Sequence, residues 1–307
     1  MSHTKVITIP DIGINCGIGE VLMSLFSVIR ETGSAERDVV WDYNDIENLH
    51  PFFISSLAIY KDSIKDVVRE INVGNHLKNI FCDIAFSSPL EFTGDTPPEE
   101  ILQSFTESYQ TPVCKFDRKY QRIDELQSAL FAILAKQIRL RTDGWTAHTP
   151  VSYLISELTC NIQEHSHGSH GFMTMQCPED EDAISICIAD NGITVYGSYM
   201  QSGKTELIHM IGSDHVEALR YATKGFSTKN RPENESRGYG ISTNLDMVVN
   251  GLGGSFFMLS GKAFFRSDEQ GEQFVNLPDG MYWDGTIILV KIPLKQKRGF
   301  NVYNYIE

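Results

Sequence analysis

The chain has 307 residues, 41% of them hydrophobic and 21% charged, which is typical of a soluble globular protein with one large domain or two smaller ones. Its formal net charge of −14 argues against a nucleic-acid partner because phosphate binding needs a basic surface, and the lack of an apolar run of about 18 residues argues against a membrane-spanning helix. Six cysteines without a CxxC pair, and an N-terminus without the apolar core of a signal peptide, predict a cytoplasmic protein with reduced thiols.

The segment 1–116 alternates short apolar runs with stretches of helical periodicity, which predicts a small α/β domain. A stretch rich in Pro, Ser and acidic residues, 87–100, is predicted to be a loop, whereas 76–86 fits a strand or a helix equally well. The predicted strands are 5–10, 38–45 and 111–117. The predicted helices are 19–33, 50–71 and 99–109.

The segment 117–307 has a different order, with two long helices before its first strands and a second helical region between its two groups of strands. A polar loop, 224–240, separates this second helical region into two parts. The predicted helices are 123–140, 150–166, 201–223 and 241–253. The predicted strands are 171–178, 182–190, 254–261, 262–267 and 285–294.

The helix at 150–166 carries a row of polar side chains beside its apolar stripe. Glu157, Asn161 and His165 recur every four residues, so a carboxylate, an amide and an imidazole lie one turn apart on one face. The apolar stripe of the same helix is formed by Ile155, Leu158 and Ile162. A polar row on a helix is usually a solvated face, so this pattern alone does not indicate a site.

Two glycine-containing turns follow in the same segment. Asp190 and Gly192 stand in "DNG" at the end of an apolar strand, where a carboxylate can meet a ligand and a glycine permits close approach of the backbone. Gly238 and Gly240 stand in "RGYGIS", directly before a predicted helix, an arrangement that can bind phosphate through backbone N–H groups. Each pattern alone is also that of an ordinary turn.

The order and spacing of these patterns resemble the ATP-binding domain of the GHKL, or Bergerat-fold, ATPases, most closely the anti-sigma-factor serine kinases. "ELTCNIQEH" is similar to the N box of this family, "DNG" to its first glycine box, "GYG" to its second, and "GTIILVKIPL" to its closing strand with a threonine. The resemblance covers roughly residues 119 to 307. The motifs are specific when taken together, although none of them is specific alone.

The resemblance implies roles for the residues of the polar helix and of the first glycine box. Asn161 would hold Mg²⁺ that bridges the ATP phosphates, since this cation takes few oxygen ligands from protein and the rest from phosphate and water. Glu157 would orient or deprotonate a water or a substrate hydroxyl, and His165 would lie near the phosphates. Asp190 would accept a hydrogen bond from the adenine amino group, and Gly192 would leave room for the base.

The remaining nucleotide contacts come, by the same resemblance, from the second half of the segment. Thr286 would support the adenine contact from the neighbouring strand. Gly238 and Gly240, with the backbone amide at Ile241, would cradle the phosphates, and the loop 224–237 would form a lid. The lid cations Lys229, Arg231 and Arg237 could, by the same resemblance, reach phosphate charge.

One residue departs from the family pattern. The first glycine box usually reads Asp-x-Gly-x-Gly, but Thr194 stands at the second glycine position of this chain. The resemblance gives no role to the long segment between this box and the lid.

The N-terminal segment resembles the STAS-type domains of anti-sigma-factor antagonists through a strand, an acidic turn and a helix in "VVWDYNDIENLHPFFISSLAIYKD". The predicted fold class is therefore α+β: a two-layer α/β sandwich of the Bergerat type at 117–307, preceded by a smaller α/β STAS-like domain at 1–116.

The resemblance implies a cytoplasmic regulatory protein that binds ATP and Mg²⁺. It would act as an ATPase, or as a protein serine/threonine kinase on a partner protein that the sequence does not name. The alternative is a non-catalytic module in which the nucleotide changes a protein interface. Proteins of this class are often dimers, so the resemblance also implies a possible homodimer.

Overall fold

The computed structural model describes residues 4–13, 15–35, 38–44, 46, 50–64, 67–74, 88–106, 111–142, 145–178, 181–228, 240–295, 300–301 and 303–306. The architecture is α+β, with helices packed against two separate β-sheets. The strands are β1 Lys5–Thr8, β2 Val39–Asp42, β3 Val68–Ile71, β4 Leu90–Phe92, β5 Cys114–Asp117, β6 His170–Gln176, β7 Ala183–Asp190, β8 Ser255–Gly261, β9 Ala263–Asp268, β10 Gly271–Asn276 and β11 Trp283–Pro293.

The helices vary from one turn to five turns in length. They are α1 Ile18–Gly33, α2 Pro51–Ile64, α3 Pro98–Ile101, α4 Ile123–Arg141, α5 His148–His165, α6 Val195–Gln201, α7 Thr205–Ile211, α8 His215–Thr223, α9 Ile241–Asp246 and α10 Tyr303–Ile306. A 3₁₀ turn covers Gln103–Phe105, and a π-helical segment, Met247–Gly251, directly continues α9. None of the helices in the described ranges combines the length and the apolar character needed to cross a bilayer.

The larger sheet has the strand order β10-β9-β8-β11-β7-β6-β5-β4. Its neighbouring strands are antiparallel except for β4 and β5, which run parallel. Helices α4 and α5 cover one face, because their apolar residues recur at helical spacing and pack onto the inward side chains of the strands. Leu134 of α4 and Leu154 of α5 are fully buried in this core together with Met173 and Ile186 of the sheet.

The smaller sheet has the order β1-β2-β3, with all three strands parallel. Helices α1 and α2 form its crossovers, as parallel strands require. Helix α1 turns an apolar stripe inward that includes Leu25, whereas most of α2 from Pro51 to Ile59 is buried. The near-complete burial of α2 indicates that it is covered on two sides.

The second side of α2 packs on the face of the larger sheet that α4 and α5 leave uncovered. Phe52 and Phe53 of α2 belong to the same buried cluster as Leu259, Ile287 and Leu289, which point to that face from β8 and β11. Strands β6 and β7 are therefore buried on both faces, which explains why they read as continuous apolar runs without alternation.

A buried cation also joins the two sheets. The ammonium group of Lys115 on β5, which is 5% exposed, lies 2.8 Å from the carboxylate of Asp62 on α2 and 2.9 Å from that of Glu91 on β4. The cysteines within the described ranges, Cys16, Cys114, Cys160, Cys177 and Cys187, are free thiols.

Several predicted element bounds differ from the structure. The predicted helix 50–71 is wrong at its end, because α2 stops at Ile64 and 68–71 forms β3 beside β2. The predicted loop 87–100 contains β4 and the start of α3, and the helix predicted at 99–109 is reduced to α3 and the 3₁₀ turn within the part that the structure describes. The range 76–86 lies outside the described residues.

Two further differences concern the second segment. The long helical stretch predicted at about 201–223 is divided into the two short helices α7 and α8 after the last residue of α6, and β10 was not predicted. The predicted boundary between 116 and 117 falls inside β5, which pairs with β6 of the larger sheet. The larger sheet thus begins at β4, upstream of that boundary.

Candidate functional site

The polar row of α5 lines a cavity of about 440 Å³. This volume is within the range of about 300–1,000 Å³ that is usual for small-molecule sites. Glu157, Asn161 and His165 all contribute to its wall, so the four-residue spacing does bring them together. Their helix is fixed by the apolar stripe that includes Leu158 and Ile162, both buried against the sheet.

Asn161 has unused hydrogen-bonding capacity inside this cavity. Its side-chain Nδ2 is buried and has no hydrogen-bond partner among the residues that the structure describes. Leaving such a group without a partner costs about 1–3 kcal/mol, a cost that a ligand can remove. A Cβ added to Gly240 would lie 3.4 Å from this nitrogen, so the backbone at the start of α9 closely faces the amide. Ile241, the first residue of α9, also lines the cavity.

Asp190, the last residue of β7, brings a buried carboxylate to the same cavity. Its side chain is 6% exposed, and its Oδ1 accepts a hydrogen bond of 2.8 Å from the backbone N–H of Gly192. Burial raises the pKa of Asp190 from 3.8 to about 7, although hydrogen bonds from the backbone N–H groups of Gly192 and Thr286 oppose the rise. Thr286 is the β11 residue paired with Asp190, and its side chain also lines the cavity.

Gly192 is not among the residues that line the cavity. A Cβ at Gly192 would lie 1.9 Å from the carbonyl oxygen of Ser166 and 2.6 Å from the nitrogen of Gly168. The glycine is needed because the turn after β7 packs directly on the segment that follows α5. The backbone N–H of Ile193 donates a 2.6 Å hydrogen bond to the Ser166 carbonyl and holds this contact. The structure thus gives Gly192 a role different from the expected one of leaving room for a bound base.

Gly285 makes a second close approach beside Asp190. It has a φ of +82°, and a Cβ there would lie 2.2 Å from the backbone oxygen of Asp190. The pairing of β11 with β8 is irregular between Trp283 and Thr286, which places this glycine in a bulge. Only glycine combines that backbone conformation with so little space.

Ser260, at the end of β8, connects three elements around the same corner of the cavity. It is 1% exposed, its hydroxyl donates to the backbone oxygen of Gly285 at 3.0 Å, and it accepts from the backbone N–H of Val195 at 2.9 Å. Its oxygen is also 3.1 Å from the Oγ1 of Thr286, its partner in the β8–β11 register.

Thr194 explains how the chain departs from the Asp-x-Gly-x-Gly pattern. It is the N-cap of α6, and its Oγ1 accepts a 3.0 Å hydrogen bond from the backbone N–H of Gly197. A glycine lacks this side-chain acceptor, so threonine at this position starts a helix directly after the turn. The segment 195–223, which had no predicted role, folds as α6, α7 and α8, and α8 packs against β9 and β10.

Helix α6 and the segment after it hold the first residues of the polar loop over the cavity. The hydroxyl of Tyr199 donates to the backbone oxygen of Phe226, and the ammonium group of Lys204 donates to that of Ser227 at 2.8 Å. Thr228 then reaches across to α5, where its Oγ1 lies 3.1 Å from the Nδ1 of His165. The segment 226–228 therefore closes this side of the cavity, and its hydrogen bonds hold it in place; it is called the strap below.

The cavity brings together most of the site residues predicted from the sequence. Those that line it are Glu157, Asn161, His165, Asp190, Gly240, Ile241 and Thr286. Gly192 lies outside the lining and packs against Ser166 and Gly168. Lys229, Arg231, Arg237 and Gly238 lie outside the described residues.

Sequence reasoning missed Ser260, Gly285, Tyr199 and Thr228. Gly285 had a local signal, because a glycine directly before a threonine in an apolar strand indicates a bulge or a close approach. Ser260 had no local signal, since the contacts of a serine at a strand end depend on which strands lie beside it. Tyr199 and Thr228 act through contacts with residues far along the chain.

The cavity combines two kinds of polar group. The sheet supplies acceptor groups at Asp190 and Thr286, and α5 supplies a carboxylate, a carboxamide and an imidazole. Within the described ranges there is no cluster of three or more His, Cys, Asp or Glu side chains that would hold a metal ion by themselves.

The comparisons with known proteins give no match, whether the chain is set against protein-family models, curated proteins or solved structures.

Proposed function

We propose that the chain binds ATP with Mg²⁺ in this cavity through a Bergerat-type domain, and that a STAS-like unit formed by β1–β3, α1 and α2 regulates it. The observation that carries the proposal is the common cavity of Asn161 and Asp190. Asn161 presents an amide nitrogen that has no partner among the described residues, and Asp190 presents a buried carboxylate from the sheet. These are the two groups that the sequence resemblance assigns to the cation–phosphate end and to the adenine.

The residues of α5 fit a Mg²⁺–triphosphate group. The carboxamide of Asn161 can turn its oxygen toward a cation, and its Nδ2 makes no hydrogen bond to the described residues that would oppose this rotation. Mg²⁺ would supply charge neutralisation to the phosphates. Gly240 faces the same amide without a side chain, which leaves space for the phosphate oxygens.

Glu157 and His165 extend the proposal from binding to chemistry. Glu157 lies one turn before Asn161 on the cavity wall, where it would accept the proton of a water or a protein hydroxyl that attacks the γ-phosphate. His165 already shares a hydrogen bond with Thr228 and would place that strap residue near the phosphates. The proposed activity is therefore that of an ATPase or a protein serine/threonine kinase acting on a partner protein.

The test is calorimetric titration of Mg²⁺–ATP into the wild-type chain and into the variants Asn161→Ala and Asp190→Ala. We expect each variant to bind at least about tenfold more weakly, equivalent to about 1.4 kcal/mol. The exposed residues Asn276 and Asp279 provide matched controls, Asn276→Ala and Asp279→Ala, which should bind like the wild type. A folded wild-type chain that binds no ATP would rule out the proposal.

Glu157→Gln separates the enzyme from a non-catalytic module. This change keeps the shape of the side chain but removes the proton acceptor, so ATP should still bind while phosphate release falls by about a hundredfold or more. If the wild-type chain binds ATP but neither releases phosphate nor transfers it to a candidate partner protein, the nucleotide-dependent interaction module becomes the better account.

A further inference from the structure

The hydroxyl groups of Ser260 and Thr286 form an ordered pair at the wall of the cavity. Ser260 has one hydrogen, and the Gly285 carbonyl at 3.0 Å can only accept, so this hydrogen belongs to that bond. The contact of 3.1 Å between Ser260 Oγ and Thr286 Oγ1 must then be donated by Thr286. The backbone N–H of Val195, which donates to Ser260 at 2.9 Å, fixes the serine from a third direction.

The direction of this hydrogen bond decides what Thr286 offers to a ligand. With its only hydrogen directed to Ser260, Thr286 has only lone pairs left for the cavity that it lines. The neighbouring Asp190 carboxylate also accepts hydrogen bonds when it is ionised. This corner therefore presents acceptors side by side, and it matches a ligand group that carries two N–H donors.

We propose that Ser260 is a positioning residue that makes the site prefer a 6-amino purine over a 6-oxo purine, by orienting the hydroxyl of Thr286. This rests on the proposed nucleotide function and adds a specificity element to it. A 6-oxo group would place an acceptor oxygen against the acceptor groups of Asp190 and Thr286. A site built for one hydrogen-bond pattern strongly rejects a ligand with the wrong pattern. Without Ser260, the Thr286 hydroxyl can rotate and donate to the 6-oxo group.

A purely structural role for Ser260 makes a different prediction. The serine also joins β8, β11 and the start of α6, so its loss could weaken the cavity as a whole. Such weakening would lower the affinity for every purine nucleotide by the same factor. The ratio of two affinities therefore distinguishes orientation of Thr286 from general support.

The experiment measures the dissociation constants of Mg²⁺–ATP and Mg²⁺–ITP by calorimetry near pH 8, where Asp190 is mostly ionised. The chains are the wild type, Ser260→Ala, Thr286→Ala and the double variant, with Ser255→Ala as a control serine on the same strand. We expect the preference of the wild type for ATP over ITP to fall about three- to tenfold in Ser260→Ala, the factor of one hydrogen bond. In the Thr286→Ala background, Ser260→Ala should leave the ratio unchanged, since no hydroxyl remains to be oriented.

The other outcomes overturn the proposal. Equal loss of ATP and ITP affinity in Ser260→Ala would assign Ser260 a structural role only, while the proposed function would stand. Tight ITP binding by the wild type would exclude the specificity without any variant, and a wild-type chain that binds neither nucleotide would overturn both proposals. If Ser260→Ala does not fold, Ser260→Thr keeps the hydroxyl and should keep the ATP preference; a folded Ser260→Thr that loses it would contradict the proposal.

Discussion

Asp190 is the residue in which stability and ligand binding are most directly opposed. Its carboxylate is buried at the end of β7, where few groups compensate its charge, and its pKa rises from 3.8 to about 7. A carboxylate held in this way can accept a donor from the proposed nucleotide, and the folded chain bears the cost of its ionisation when no ligand is bound.

Replacing Asp190 by asparagine should remove a pH dependence of stability. The folded-state pKa is above the ordinary value, so the folded chain binds more protons than the unfolded chain between pH 3.8 and about 7. The stability that protonated Asp190 contributes is complete below this window and is lost as the pH rises through it, by about 1.4 kcal/mol for each pH unit. We expect the melting temperature of Asp190→Asn to fall less between pH 5 and pH 8 than that of the wild type.

The matched control for this measurement is Asp279→Asn, which changes an exposed carboxylate. Its melting curve should keep the wild-type dependence on pH. Identical pH profiles for the wild type and Asp190→Asn would mean that Asp190 is ionised without cost, and the assignment of a buried acceptor at this position would be incorrect.

At the scale of single elements, α6 is the helix that the sequence pattern predicted least well. It has seven residues, too few to be stable alone, and it depends on its Thr194 cap and on packing of Tyr199. Because Tyr199 in turn bonds the backbone at Phe226, the cap of α6 supports the strap over the cavity.

Removing the cap should loosen both α6 and the strap. We expect Thr194→Ala to lower stability by about 1 kcal/mol, the usual cost of losing an N-cap, and to speed amide hydrogen exchange at 195–201 and at 226–228. Thr194→Ser retains the acceptor oxygen and should exchange like the wild type. Faster exchange confined to 195–201 would show that α6 and the strap open independently.

The elements that the sequence predicted well are those specified by their own residues. Helices α1, α4 and α5 have long apolar stripes, and β7 is a long apolar run. The failures are elements specified by distant neighbours. β3 was included in a helix because "VREI" forms a strand only beside β2, and β10 is a polar strand that exists through pairing with β9.

The candidate site follows the same division. The row of Glu157, Asn161 and His165 could be predicted because one helix sets their spacing. The pairing of Asp190 with Thr286 was reached through family resemblance, and Ser260 was not reached at all. The role proposed for Ser260 depends on the β8–β11 register, which no local pattern records.

At the scale of the whole molecule, the smaller sheet and the larger sheet share one buried cluster. Helix α2 contacts β6 and β7 and shares its buried cluster with residues of β8 and β11, and Lys115 pairs with Asp62 across the same junction. The free face of the larger sheet is thus covered from within the chain. This arrangement gives the smaller unit a direct mechanical contact with strands that line the cavity on their other face.

A fragment without the smaller unit should therefore be poorly soluble. A chain of residues 88–307 would expose Leu259, Ile287 and Leu289, which are buried in the whole protein. We expect this fragment to aggregate, as measured by light scattering, and the same fragment with Leu259→Lys and Leu289→Lys to be more soluble. If the unmodified fragment is monomeric and melts like the full chain, the shared core contributes little, and the two units are independent.

Strand β7 faces α2 on one side and the cavity on the other. Cys187 lies against Ser55 of α2, whereas Ile188 and Asp190 line the cavity on the opposite face. Alternate positions of this one strand are therefore under separate physical constraints. Among descendants of a common ancestor, we expect position 187 to change together with positions in α2, while position 190 stays fixed as long as the ligand does. Neighbours in the chain would then have separate histories of substitution.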